Sequence, residues 1–191
     1  MTDRSRYDTV AIALHWLTAL AVLGLIVMGL VMTRERPGSH LQFVLYQLHK
    51  SVGITVLALT IARLAWRLGH KPPPLPATMP GWEKLAAHAG HLALYGFMVG
   101  MPLSGWALVS ASTYNIPTVL YGVVPFPHLP VLPTLPNKAA VEAVLRQVHD
   151  VAGWLLMATL AGHVGAALRH HVLLKDDVLR RMLPRFGGNH P

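Results

Sequence analysis

The sequence predicts an all-α integral membrane protein, a bundle of four transmembrane helices, on three observations. Apolar residues fill 53% of the 191 positions and charged ones only 13%, with a mean hydropathy of +0.44, far from the balance of an aqueous domain. The apolar residues fall into four runs, at about 10–32, 43–66, 85–109 and 141–168, each near the roughly 20 residues that cross a bilayer as a helix. The connections between them carry breakers, so successive spans run antiparallel and little chain is left for anything else.

The first run, about 10–32, is too long for a signal-peptide core and has no small-residue cleavage site, so it reads as a retained span. The connection after it, Thr33-Arg-Glu-Arg-Pro-Gly-Ser, is short. The second connection, Gly69-His-Lys-Pro-Pro-Pro-Leu-Pro, is extended, because consecutive prolines cannot continue a helix. The third, from Ser110 to Lys138, is the longest. Its apolar stretches are broken by Pro117, Pro125, Pro127, Pro130, Pro133 and Pro136, too often to span, so it is expected to cap one end of the bundle. The whole chain from 6 to 184 is read as one membrane domain.

Net charge is +8. The basic residues sit at the ends of the apolar runs, where flanking of the spans accounts for them without nucleic acid. Arg4, Arg6, Arg63, Arg67, Lys71, Lys84, Arg169, Lys175, Arg180, Arg181 and Arg185 fall on one side, and Arg34, Arg36, Lys50, Lys138 and Arg146 on the other. Both termini are therefore expected in the cytoplasm and the proline-rich cap outside. The chain has no Cys, which excludes disulfides, thiolate-held iron–sulfur clusters and thioether-attached haem.

Ionisable residues within spans are costly and are read as functional by default. Among the 12 His, His15 lies early in the first span, His49 early in the second, His88 and His91 at the start of the third, and His149 and His163 in the fourth. His149 and His163 are fourteen residues apart, which at 100° and 1.5 Å per residue leaves them about 40° from the same face and roughly 21 Å apart in depth. Antiparallel spans then bring His163 to the depth of His15, and His149 to the depth of His49. Two facing imidazoles at each of two depths suit two haem groups with axial ligands on both faces, because neutral ring nitrogens donate to iron and burial favours the neutral form.

Other residues fit around that pattern. Arg63, fourteen residues after His49, reaches the level of the His15/His163 pair, as a propionate partner or as a snorkelling residue at a helix end. Lys50 and Arg146 stand in the same relation to the other pair. The span glycines, Gly24, Gly29, Gly53, Gly90, Gly96, Gly100, Gly153, Gly162 and Gly165, suit either a flat ring or close helix packing. His88 and His91, at i, i+3, make a weak metal site by themselves; either could replace an axial ligand or line a quinone pocket. His170 and His171 read as interfacial residues, and Met28, Met98, Met101 and Met157 as packing.

The ordered set Tyr7-Asp-Thr-Val-Ala-Ile-Ala-Leu-His15-Trp16, Leu48-His49-Lys50-Ser51-Val-Gly53, Ala87-His88-Ala-Gly-His91, Val148-His149, Gly162-His163 and His170-His171-Val-Leu-Leu-Lys-Asp resembles the bacterial cytochrome b561 family over nearly the whole chain. The resemblance implies a four-helix protein of the bacterial inner membrane with two non-covalent haem b groups. Its axial ligands map onto His15, His49, His149 and His163. It also implies superoxide oxidase chemistry: an electron from superoxide, or a similar small-molecule or protein donor, on the outer face, and ubiquinone reduced near the cytoplasmic face beside His91 and His170. The sequence departs from the family in the second connection, where Ala77-Thr78-Met79 stands in the place of an expected Lys; Lys71 and Lys84 are the nearest substitutes. A second reading is a membrane cytochrome subunit serving a dehydrogenase or hydrogenase partner. A third, a His-based proton or metal transporter, has against it the lack of an internal repeat and of a membrane carboxylate pair.

Overall fold

The computed structural model describes residues 6–184; Arg4 and Arg185, used above for orientation, lie outside them. Four helices, α1 (Thr9–Met32), α2 (His40–Gly69), α3 (Gly81–Ser110) and α4 (Lys138–Val172), are each long and apolar enough to cross a membrane. Every apolar run lies within one helix. α2, α3 and α4 extend past their runs, because hydropathy marks the lipid-facing length whereas backbone hydrogen bonding continues into the interface.

The helix starts follow from local chemistry. The Asp8 carboxylate accepts from Ala11 N–H at 2.9 Å and caps α1. Ser39 accepts from Gln42 N–H at 3.1 Å, and Gln42 Oε1 accepts from Gly38 N–H at 2.9 Å, so the start of α2 is stapled in both directions. α3 starts after Pro80 with Glu83 in its first turn, where a carboxylate meets the positive end of the helix.

Packing is that of a protein whose outside is lipid. Large apolar side chains such as Leu20, Val27, Leu92 and Leu155 point outward, while the most buried positions include the small hydroxyl residues Thr18, Ser51 and Thr60. Each hydroxyl donates to a carbonyl one turn back, Thr18 to Leu14, Ser51 to Gln47 and Thr60 to Val56, at 2.7–2.8 Å. The polar group is thus satisfied inside its own helix and the backbones approach closely. At mid-height Val22 of α1, Val56 of α2 and Leu156 of α4 form an apolar core.

The long third connection folds into a cap. Strands β1 (Thr118–Leu120) and β2 (Val124–Phe126) pair antiparallel, Leu120 opposite Val124. Tyr121 and Gly122 make the turn at φ 52° and 74°, the arrangement that fits the twist of a hairpin but strains a non-glycine residue. Tyr121 is held there by α2: its N–H donates to Ser51 Oγ at 2.9 Å and its hydroxyl lies 2.6 Å from Thr55 Oγ1. Trp106 of α3 donates to Pro127 C=O at 2.8 Å, so the cap is fastened to two helices. Glu142 of α4, buried at this end, accepts from Thr113 N–H at 2.8 Å and from Arg146 at 2.7 Å. In the sequence Asp150 stands out as the acidic residue nearest a span's core face; it is Glu142 that the fold buries, since a carboxylate is needed to satisfy the chain leaving α3.

At the other end the first and last of the described segments meet. Tyr7 N–H donates to Arg181 C=O, Arg6 to Leu183 C=O, Trp16 to Met182 C=O and Arg181 to Pro74 C=O. A 3-10 turn at Arg180–Met182 sits across the bundle. This segment is latched by Asp176, which lies 2.5 Å from His170 Nδ1 and accepts from Val178 N–H at 3.1 Å. Burial alone would raise the Asp176 pKa, but those bonds outweigh it and hold the carboxyl below its ordinary value. A depressed carboxyl stabilises the fold above its unfolded value, about 3.9, and ceases to as pH falls through its lower native value. Acidifying the protein from about pH 5 to about pH 3 should therefore raise hydrogen exchange in residues 176–183 before the helices open, and Asp176→Asn should show that exchange at neutral pH. Unchanged protection in both cases would exclude the latch.

Candidate functional site: two histidine pairs in two cavities

The bundle encloses two cavities, one above the other. The cap-end cavity, 460 Å³, is lined by His49 and His149 together with Gly29, Gly105 and Trp106. The terminus-end cavity, 1040 Å³, is lined by His15, His163 and His91, and by Arg63, Arg67 and Tyr95. Val22, Met98 and Leu156 line both, so this apolar layer is the partition between them. Met98, expected to pack, packs here.

In each cavity two imidazoles face each other across the bundle. The ring centroids of His49 and His149 are 6.4 Å apart, and those of His15 and His163 are 6.5 Å apart. A metal at the usual distance of about 2.0–2.1 Å from each imidazole nitrogen places the centroids about 6.3 Å apart. Both pairs therefore have the spacing of two rings sharing one axial metal. His91 also approaches His163, at 5.4 Å between centroids with the ring planes 63° apart. That is too close for ligands on opposite faces of one haem iron, so His91 is a contacting neighbour in this geometry.

The environments of the four rings differ. His149 Nδ1 lies 2.8 Å from Ser104 Oγ. His49 Nδ1 is buried without a partner. His15 Nδ1 lies 3.0 Å from Arg63, and since a guanidinium only donates, the ring nitrogen accepts and its proton sits on Nε2. Arg63 and Arg67, one turn apart on α2, both lie over the Tyr95 ring, at 5.4 and 5.8 Å.

Two glycines meet these imidazoles. A Cβ on Gly105 would lie 3.1 Å from His149 Cε1, and one on Gly29 would lie 3.5 Å from His49 Cε1. Of the other span glycines weighed from sequence, Gly24, Gly53, Gly90, Gly96, Gly100, Gly162 and Gly165 have nothing within 4 Å of such a Cβ, and Gly153 meets only Met101. Gly105 and Ser104 are not among the residues the sequence points to, and Arg67, read there only as a flanking charge, lines the terminus-end cavity. The available signal was a hydroxyl and a glycine side by side at the depth of His149 on the antiparallel span.

The remaining expected residues divide. Lys71 lines the terminus-end cavity and Lys84 does not. His170 is also outside that lining; it is buried between Asp176 and Glu83, whose Oε2 is 3.8 Å from its Nε2, while Arg169 pairs with Glu83 at 3.0 Å. His88 is exposed, with Nδ1 2.6 Å from Lys84 C=O. Among the described residues no group of three or more His, Cys, Asp or Glu is arranged to hold a metal ion.

The donor set fits haem: paired neutral imidazoles, apolar walls and cations at the rims. The terminus-end cavity is lined by Arg6, Arg63, Arg67, Lys71 and Arg181 against Asp8, and the cap-end cavity by Arg34, Lys50 and Arg146 against Asp150. Each cavity is thus suited to a group bearing carboxylates.

Residues 6–185 match the family model described as prokaryotic cytochrome b561. Over 186 residues the chain is 32% identical to cytochrome b561 homolog 2 of Escherichia coli (strain K12), covering 97% of this chain and 95% of that protein. Cytochrome b561 homolog 1 of the same organism is 30% identical over 182 residues, covering 95% and 98%. The probable superoxide oxidase CybB of Yersinia pestis is 27% identical over 186 residues, covering 96% and 98%.

Proposed function

The chain belongs to the prokaryotic cytochrome b561 family, a haem b electron carrier of the bacterial inner membrane, and from that premise we propose that it holds two haems. His49 and His149 hold one and His15 and His163 the other, with electrons passing from a superoxide-like donor at the cap to ubiquinone at the terminus end. The observation that carries this reading is the matched 6.4 and 6.5 Å spacing of the two pairs. Haem b, when bound, supplies reversible one-electron transfer.

The protein's own residues provide the rest. To bind iron through Nε2, His15 needs its proton on Nδ1, which ends its acceptance from Arg63; the guanidinium is then available to a propionate, with Arg67 beside it over Tyr95. Arg34, Lys50 and Arg146 at the cap end attract an anionic donor. The terminus-end cavity has more than twice the volume of the other, which supports a quinone beside the haem there, against His91, Tyr7 and Lys71. His170 belongs to the Asp176 latch in this reading, because its ring is engaged on both sides and lies away from the cavity. The terminus end faces the cytoplasm, following the distribution of Lys and Arg.

The test is made on the purified chain. A low-spin spectrum with two haems per chain and superoxide-driven reduction of ubiquinone is the expected result. A colourless protein after haem-replete expression would exclude the haem sites. Copurification of a soluble redox subunit, with no superoxide-driven turnover by the isolated chain, would replace the donor with a dehydrogenase or hydrogenase partner.

A further inference from the structure

Ser104 of α3 sits between two groups. Its Oγ is 2.9 Å from Met101 C=O, one turn back on its own helix, and 2.8 Å from His149 Nδ1 on α4. A hydroxyl has one hydrogen to give. A carbonyl only accepts, so the arrangement that satisfies both contacts gives the hydroxyl hydrogen to Met101 and takes the ring hydrogen from His149. The opposite arrangement, serine donating to the ring, leaves the Met101 contact without a hydrogen. Because a polar contact left without its hydrogen costs free energy in a low-dielectric interior, the doubly satisfied arrangement prevails.

We propose that Ser104 is a positioning residue that fixes His149 as the Nδ1–H tautomer and turns its Nε2 into the cap-end cavity toward the metal of a bound haem. This rests on the reading of His149 as an axial ligand and adds what sets its proton and its basicity. A ligating imidazole that donates its other N–H is held in orientation and made a better donor to the metal. Among the described residues none of the other three rings meets a hydroxyl: His49 has only the Leu25 backbone as a looser partner, its Nδ1 lying outside strict hydrogen-bond geometry, His15 Nδ1 accepts from Arg63, and His163 is met by the rings of His15 and His91. Gly105, next in sequence to Ser104, leaves the His149 ring its room, since a Cβ there would stand 3.1 Å from Cε1. The Ser104-Gly105 pair thus sets both the azimuth and the tautomer of one ligand out of four. The consequence is an asymmetry between haems: the cap-end haem has the more electron-rich ligand field and is the one whose potential Ser104 lowers.

The experiment compares Ser104→Ala, Ser104→Thr and His149→Ala by haem-to-chain ratio, by competition for haem with apomyoglobin, and by potentiometric titration. Removing the hydroxyl should weaken retention of one haem about tenfold or more and move that component's midpoint potential upward, the other staying in place; Ser104→Thr, which keeps the hydroxyl, should restore both. His149→Ala should lose the same component outright. If His149→Ala removes a haem while Ser104→Ala leaves that haem's retention and potential unchanged, the positioning role is wrong and the ligand assignment stands. If His149→Ala retains both haems, the ligand assignment is wrong.

Discussion

Replacing His149 by Ala should halve the haem content of the purified chain, and adding His163→Ala should remove what remains. Each ring stands opposite a different partner, His49 at 6.4 Å and His15 at 6.5 Å, and each pair lies in its own cavity on either side of the Val22, Met98 and Leu156 layer. The losses should therefore be independent and spectrally distinct. His49→Ala should remove the same component as His149→Ala, and combining the two should remove nothing more. His91→Ala should keep both haems, because 5.4 Å to His163 is too short for the two opposite axial positions of one haem. Redox titration of the α-band resolves the components. Loss of one and the same component from His149→Ala and His163→Ala would mean that the pairing by depth is wrong.

Gly29 and Gly105, where an added Cβ would meet the rings of His49 and His149, should respond oppositely to the same added methyl group. At Gly29 the new Cβ would stand 3.5 Å from His49, an ordinary contact, so Gly29→Ala should keep the cap-end haem. At Gly105 it would stand 3.1 Å from His149 Cε1, and the ring has little freedom to give way, being bonded to Ser104 on the side of the same helix. Gly105→Ala should weaken retention of the cap-end haem about tenfold, and Gly105→Leu should abolish it while leaving the terminus-end haem. The sign is informative because Gly→Ala inside a helix ordinarily stabilises by about 1 kcal/mol. A loss of haem without a loss of helix stability isolates the steric effect on the ring. Full occupancy in Gly105→Leu would show that the imidazole does not need this approach.

The sequence by itself determined the four spans, because hydropathy is a sum over local residues. It also determined the depths of the histidines, because 1.5 Å of rise per residue is a property of any one helix. The cap was legible as a proline-broken, non-spanning segment, although its hairpin was not: that turn stands on Tyr121 held in positive φ by Ser51 and Thr55, 70 and 66 residues earlier in the chain. Only the tertiary structure decided which rings face each other across a cavity. It separated His15 from His91 as neighbours of His163 by about an ångström of ring spacing, and picked Gly105 and Gly29 out of the span glycines. It also set His170 between Asp176 and Glu83. The reason is physical: periodicity fixes where a residue lies on its own helix, whereas its neighbour depends on how four helices rotate and tilt against one another, and side-chain packing alone sets that.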